Sequence, residues 1–232
     1  MKVLITGGAS GLGRAVAHRV ADDGGIPLVI DRHPPKSEDG GPDPRVKHMQ
    51  ADLADRHCAE RAVHCLARDA GGLDAVVTAA GIDACGRLAD VPAEDWERVV
   101  QVNLLGTAAV VRAALPYLEH APDGRIVTCA STLGVKALGD ATAYCASKFG
   151  VVGFTRALAA ELAGHIGVTM LVPGGMDTAF FDGRDERYRP GPGAQLNRPE
   201  DVAAAVVYAL SQPAGCEIRE LVVCPSREPS WP

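Results

Sequence analysis

Aromatic residues are scarce: four Phe, four Tyr and two Trp make up 4% of the 232 residues. With 47% hydrophobic and 22% charged residues, the chain still has what a packed core needs. That core is predicted to be built from Ala, Val and Leu, and wholesale disorder is excluded. Basic residues are not in excess: 23 Lys and Arg face 29 Asp and Glu, a net charge of −6. A grip on nucleic acid or anionic membrane through basic charge is thereby excluded as an expectation. No Cys-x-x-Cys pair occurs among Cys58, Cys65, Cys85, Cys129, Cys145, Cys216 and Cys224, and their number is odd. This argues against a disulfide scaffold or zinc site and for reduced thiols. The seven histidines lack His-x-x-x-His spacing, so no metal site is predicted. No run approaches 18 apolar residues, which predicts no bilayer-spanning helix. The opening Met1-Lys2-Val3-Leu4-Ile5-Thr6 is too short for a signal peptide, so a cytoplasmic location is expected.

What the chain does have is an alternation. Short apolar runs at Val3–Thr6, Ile26–Ile30, Val46–Met49, Leu73–Thr78, Arg125–Ala130, Val168–Val172 and Leu221–Cys224 read as strands. Stretches of helical periodicity lie between most of them: Gly11–Asp23, Arg56–Ala70, Pro92–His120, Ala141–Ala163 and Pro199–Ser211. Strand, helix, strand repeated in this way implies right-handed crossovers. The prediction is an α/β fold, a doubly wound, seven-stranded parallel sheet with helices on both faces. No repeat or composition break marks a second domain, so residues 1–232 read as one. Two stretches interrupt the pattern. His33–Pro44 reads as a surface loop, and Asp177–Asn197 as a mobile segment beside the binding site.

After the first strand comes Thr6-Gly7-Gly8-Ala9-Ser10-Gly11-Leu12-Gly13, opening a helix. Glycines at 7, 11 and 13 allow a tight turn, close approach of a pyrophosphate and close helix packing. The helix start offers unpaired N–H groups to the anion. Gly7, Ser10, Gly11, Leu12 and Gly13 are therefore candidate cofactor contacts. The second strand ends Leu28-Val29-Ile30-Asp31, roughly 20 residues on, where a carboxylate suits the adenine-ribose hydroxyls. Asp31 would repel a 2′-phosphate and favours NAD over NADP, whereas Arg32 could pair with that phosphate.

Ser131 follows the fifth strand, and Tyr144 and Lys148 lie four residues apart on the next helix, on one face. A tyrosine of ordinary pKa ~10 is a poor base at neutral pH. A neighbouring ammonium stabilises its phenolate and makes proton exchange with a substrate hydroxyl feasible. Ser131 can donate a hydrogen bond to the substrate oxygen.

With the glycine loop, these residues closely resemble the short-chain dehydrogenase/reductase family, whose fold is of the Rossmann type. The resemblance covers nearly the whole chain, including Asn103-Leu104-Leu105-Gly106, Pro173-Gly174-Gly175-Met176-Asp177-Thr178 and Arg198-Pro199-Glu200-Asp201-Val202-Ala203. It implies a catalytic set of Asn103, Ser131, Tyr144 and Lys148, with Asn103 holding a relay water next to Lys148. It also implies that Asp52 and Leu53 border the adenine and that Ala79, Ala80 and Gly81 follow the cofactor. Pro173, Gly174, Met176 and Thr178 would orient the nicotinamide, and Tyr144 and Lys148 would touch its ribose. The family's Asn-Asn-Ala-Gly stands here as Thr78-Ala79-Ala80-Gly81, so two bracing side chains are missing. The variable segment, about residues 177–198, is short, which predicts an open site. Val135, Leu138, Phe180 and Phe181 are candidates for an apolar substrate pocket.

The implied activity is hydride transfer between NAD(P) and a small secondary alcohol or ketone. The alternative is a catalytically silent NAD-binding sensor or structural subunit. Enoyl reduction is disfavoured by the four-residue Tyr–Lys spacing, and sugar-nucleotide epimerisation by the chain length. Small apolar residues recur on the stretches Pro92–His120 and Ala141–Ala163: Ala108, Ala109, Val110, Val111, Ala113 and Ala114 on the first, Val151, Val152, Ala157, Ala159 and Ala160 on the second. Related enzymes pair these helices across a two-fold axis, so a homodimer or homotetramer is expected.

Overall fold

A computed structural model describes residues 1–37 and 40–231. Glu38 and Asp39, within the predicted surface loop, and the terminal Pro232 lie outside the described residues. Seven parallel strands form one sheet: β1 (Lys2–Thr6), β2 (Ile26–Asp31), β3 (Lys47–Gln50), β4 (Ala75–Thr78), β5 (Arg125–Cys129), β6 (Gly167–Pro173) and β7 (Glu220–Val223). Their order is β3-β2-β1-β4-β5-β6-β7. The order reverses direction between β1 and β4, and ligands of such sheets bind in the crevice at that switch.

Side chains alternate between two cores because consecutive strand residues point to opposite faces. Leu4, Leu28, Ile30, Val76 and Ile126 pack on one face with Val63, Val110, Leu118 and Leu158. Those partners come from α2 (Arg56–Ala70), α4 (Thr107–Leu118) and α5 (Thr142–Glu161). Val3, Ile5, Val29, Val77 and Val127 pack on the other face with Val16, Val20, Val202 and Val206. Those come from α1 (Gly11–Asp22) and α6 (Pro199–Leu210). Strands covered on both sides explain why their runs are almost uninterrupted Val, Ile and Leu.

Local signals set the helix ends. Asp55 caps α2 by accepting from the Cys58 N–H at 3.1 Å, and Gly71 ends it in the left-handed region at φ 70°. Pro199 sits in the first turn of α6 together with Glu200 and Asp201, favourable at a helix N-terminus.

The stretch Pro92–His120, read as one helix, has three parts. α3 (Ala93–Val100) leads into a π-helical turn at Gln101–Gly106 and then α4. The turn passes so close to the β3–α2 connection that a Cβ on Gly106 would sit 2.8 Å from the Leu53 carbonyl oxygen. The Thr107 hydroxyl donates to the Asn103 carbonyl at 2.8 Å within this irregular turn. The whole span Ala93–Leu118 is 26 residues with a mean hydropathy of 1.4 over its most apolar window, long and apolar enough to cross a bilayer. Counting apolar runs missed this because Arg98 and Arg112 interrupt them. Over half of that window is buried against the sheet and α2, the setting of a core helix.

Candidate functional site

The candidate cofactor residues lie at, or just beyond, the carboxyl ends of the strands, and the catalytic candidates come from a strand exit and two helical elements. The glycine loop follows β1. Asp31 and Arg32 close β2, Asp52 and Leu53 follow β3, and Ala79, Ala80 and Gly81 follow β4. Ser131 follows β5, and Pro173 ends β6, ahead of Gly174, Met176 and Thr178. Tyr144 and Lys148 come from α5, and Asn103 from the π-helical turn.

The glycine requirement is steric. A Cβ on Gly13 would run into the Gly7 carbonyl oxygen, and one on Gly7 would sit 2.7 Å from the Ala80 Cα. Gly7 and Gly11 also have φ of 72° and 51°. Gly8, given no role in the sequence reading, is equally constrained, since a Cβ there would meet the Val29 side chain at 2.6 Å. Leu12 is buried beneath the loop, whereas Ser10 is exposed and makes no side-chain cap bond to α1. The first turn of α1 carries no acidic residue. The first turn of α1 therefore offers backbone donors with no acidic side chain of its own, the Asp31 carboxylate engages only the Ala9 N–H of the loop, and the residues present in the cradle fit a dinucleotide phosphate. Across it, the space over Gly11 ends at Thr178, 3.4 Å from where a Cβ would be.

Asp31 also holds the loop. Its carboxylate accepts from the Ala9 N–H at 3.0 Å and the His33 N–H at 2.9 Å, with lone pairs to spare. Arg32 is exposed beside it. Burial works against the charge of Asp52. The Arg98 guanidinium at 2.6 Å and the Ala54 N–H at 3.0 Å outweigh it and hold the carboxyl below its ordinary pKa. Leu53 is buried in the core. Arg98 was not foreseen, because nothing in its spacing ties α3 to β3.

Lys148 is 3% exposed, and its ammonium donates to the Cys129 carbonyl at 2.8 Å. Nζ lies 5.6 Å from the centre of the Tyr144 ring. Burial lowers the lysine pKa and raises that of the phenol. A hydrogen bond from Ser131 and the charge of Arg184 pull Tyr144 back down, while the Asp83 carboxylate adds to the rise. Ser131 itself is buried at the head of a short 3₁₀ turn, Thr132–Gly134, and accepts from the Leu133 N–H at 3.1 Å. Asn103, 1% exposed, accepts from the Ile82 N–H at 2.8 Å and donates to the Ile82 carbonyl at 2.9 Å and Ser147 Oγ at 3.0 Å. It thus ties the β4 exit to α5. Gly81 lies between Asn103 and Lys148, its missing Cβ 3.6 Å from Asn103 Oδ1 and 3.7 Å from Lys148 Nζ.

At the divergent Thr78-Ala79-Ala80-Gly81 the Thr78 hydroxyl is buried and finds no hydrogen-bond partner among the described residues. The Ala80 N–H is held instead by Thr6 Oγ1 at 3.2 Å. The chain path past the cradle survives the loss of the asparagines because a β1 threonine takes up one amide.

The segment after β6 is anchored over this group. The Phe180 and Tyr144 rings pack at 5.6 Å. Arg184 stacks on Phe180 and Phe181 and pairs with the nearly buried Asp83 at 2.9 Å. Tyr188 donates to Asp140 at 3.0 Å, at a residue with φ 58° just before α5. Of the four pocket candidates, Phe180 packs on Tyr144 and Phe181 packs on Phe180 and Arg184, while Val135 and Leu138 are exposed. An open site was expected from the short segment. Its aromatic and ionic anchors instead lay it against the tyrosine.

The model for short chain dehydrogenases matches residues 1–189. The chain belongs to that family. Oxidoreductases of Staphylococcus aureus (strain MW2) and Staphylococcus epidermidis are 30% and 29% identical to it over 226 and 225 residues, covering 96% of each chain. Among solved structures, ligand-free aldohexose dehydrogenase of Thermoplasma acidophilum superposes with a TM-score of 0.83 at 24% identity, over 96% of this chain and 92% of that one. The alcohol dehydrogenase of the archaeon Thermococcus sibiricus, complexed with 5-hydroxy-NADP, gives 0.81 at 23% identity, over 96% and 95%. The Rossmann-type fold is shared with these two solved structures, and the curated relatives of this short chain dehydrogenase family member are oxidoreductases.

Proposed function

We propose that the chain catalyses reversible hydride transfer between a nicotinamide dinucleotide and a secondary alcohol or ketone. The observation that carries this reading is the convergence of Ser131, Tyr144 and Lys148 beside a glycine cradle at the switch point of the sheet. With the dinucleotide's phosphates held by that cradle, its nicotinamide would supply or accept the hydride. Tyr144 moves the proton at the substrate oxygen, Ser131 holds that oxygen, and Lys148 biases the phenol toward ionisation. Asn103 keeps the exit of β4 and the start of α5 in register, and its second Oδ1 lone pair suits a relay water toward Lys148. Phe180, Phe181 and the Asp83–Arg184 pair cover the reacting groups against bulk water.

Asp31 favours NAD, because its carboxylate stands where a 2′-phosphate would be repelled. Arg32 and the 5-hydroxy-NADP bound by the Thermococcus sibiricus enzyme keep NADP in the comparison. The test is absorbance at the reduced-nicotinamide band with NAD and NADP against a panel of small ketones and alcohols. Turnover with none of them, despite cofactor binding, supports the silent sensor instead. The reading further includes one catalytic domain, a cytoplasmic setting and two-fold assembly through α4 and α5.

A further inference from the structure

The seven residues after β7 that carry the chain to Trp231 return across the site, and two of their side chains join loops that leave neighbouring strands. Glu228 Oε2 accepts from the Gly175 N–H at 2.8 Å, beyond β6. Its Oε1 accepts from the Ser230 N–H at 3.0 Å and the Ser230 hydroxyl at 2.5 Å. Ser230 Oγ in turn lies 2.7 Å from Thr132 Oγ1, beyond β5. The direction of this chain is determined. Ser230 has one hydroxyl proton and gives it to the carboxylate, so Thr132 is the donor to Ser230. Thr132 and Ser230 are both buried, which makes each of these bonds costly to leave unmade. A Cβ on Gly174 would displace Glu228 Oε2 from its place in this chain of bonds. Lys136 adds a bond to the Pro229 carbonyl at 3.1 Å.

We propose that Glu228 and Ser230 are positioning residues, a strap that sets the spacing between the serine loop at Ser131–Thr132 and the cofactor-side loop at Gly174–Thr178. Thr132 adjoins the residue that would hold the substrate oxygen. Gly174 and Gly175 open the segment that would orient the nicotinamide. The two loops leave adjacent strands and then diverge, so sheet hydrogen bonds end where their spacing begins to matter. A misplacement of about 1 Å between reacting groups costs on the order of 10²-fold in rate. The catalytic consequence rests on the proposed hydride transfer; the mechanical coupling of the loops does not.

The experiment separates the two. Ser230→Ala, Thr132→Val and the rescue control Thr132→Ser are compared with the parent by amide hydrogen exchange and steady-state kinetics in the full chain. In Ser230→Ala, exchange is expected to rise in both the 131–135 and 174–178 segments, although the substitution touches the second only through Glu228. Thr132→Val should do the same and Thr132→Ser should restore protection. Kinetically, both disruptive variants should lower kcat about tenfold or more with substrate KM within about twofold, and Thr132→Ser should stay near the parent. Loosening confined to the 131–135 segment, or no change in exchange, overturns the strap whether or not turnover is found. Loosening of both loops with unchanged kcat overturns the positioning role. Parent protein that turns over nothing overturns the hydride-transfer reading and with it the catalytic half, while the exchange arm still decides the coupling.

Discussion

At Tyr144 burial opposes ionisation, while the Ser131 hydrogen bond and the Arg184 charge favour it. With the phenol pKa raised above its ordinary value, the protonated form prevails at neutral pH, the form needed to protonate a nascent alkoxide during ketone reduction. Alcohol oxidation needs the phenolate, so its kcat/KM should climb with pH while that of reduction falls. Lys148→Met removes the positive charge next to the ring and should displace the rising oxidation limb to higher pH; an unmoved limb would show that Lys148 does not tune the phenol. Tyr144→Phe should reduce turnover by at least ~10²–10⁴-fold, the usual scale of a lost general acid/base. Cofactor affinity should stay within a few-fold by fluorescence titration, because the cradle is untouched. Residual activity within a few-fold of the parent would assign the proton to another group. Asp31 braces the Ala9 and His33 amides and, under the proposed function, would also face the adenine ribose. Asp31→Ala should therefore narrow or reverse an NAD over NADP ratio in kcat/KM, with some loss toward both. A parent that already prefers NADP would mean Arg32 outweighs the carboxylate.

Among the elements, the segment after β6 shows how little periodicity says about a loop held by a few contacts. Asp83 and Arg184 are 101 positions apart and pair in a nearly dry setting, with Arg184 lying on two phenylalanines. Breaking such a pair strands a charge, at a cost of about 1–3 kcal/mol here given the partial exposure of Arg184. Asp83→Asn should lower the unfolding free energy in urea by that order and raise substrate KM, as the segment lifts off Tyr144. Proteolysis or exchange of residues 178–189 no faster than in the parent would show that the aromatic contacts alone hold it. The π-helical turn is the other element-scale feature. It follows from Gly106 passing under Leu53, and it brings Asn103 against Ile82 and Ser147. A regular helix would carry that side chain elsewhere around the axis.

For the whole molecule, the two helical faces divide differently than the small-residue count suggested. Ala109, Val110, Val111, Ala113 and Ala114 of α4 and Val151 and Val152 of α5 are buried within the chain itself, because these helices pack closely on the sheet. What remains outward is Leu105 at 58% and Phe149 at 45% exposure, with Ala146, Ala157 and Ala160 and an open Gly153 on the same helix as Phe149. That apolar face is the one a two-fold mate would cover. Multi-angle light scattering at micromolar concentration should give about twice or four times 24.1 kDa. A single species near the chain mass would remove the assembly and leave the catalytic reading intact. Phe149→Glu should shift an assembled parent toward the monomer.

The sequence by itself determined the sheet, its strand count and the cradle. Buried parallel strands demand unbroken apolar runs, and a phosphate turn demands glycines, so both are written as local composition. It also placed Tyr144 and Lys148 on one helical face, since four residues make about one turn. Tertiary structure decided what pairs across the fold: Arg98 with Asp52, Asp83 with Arg184, Thr6 with Ala80, and Glu228 with Gly175 and Ser230. Each joins residues separated by 46 or more positions, apart from the short Glu228–Ser230 link. Spacing carries no trace of such pairs, because the strand order and not the chain order brings them together.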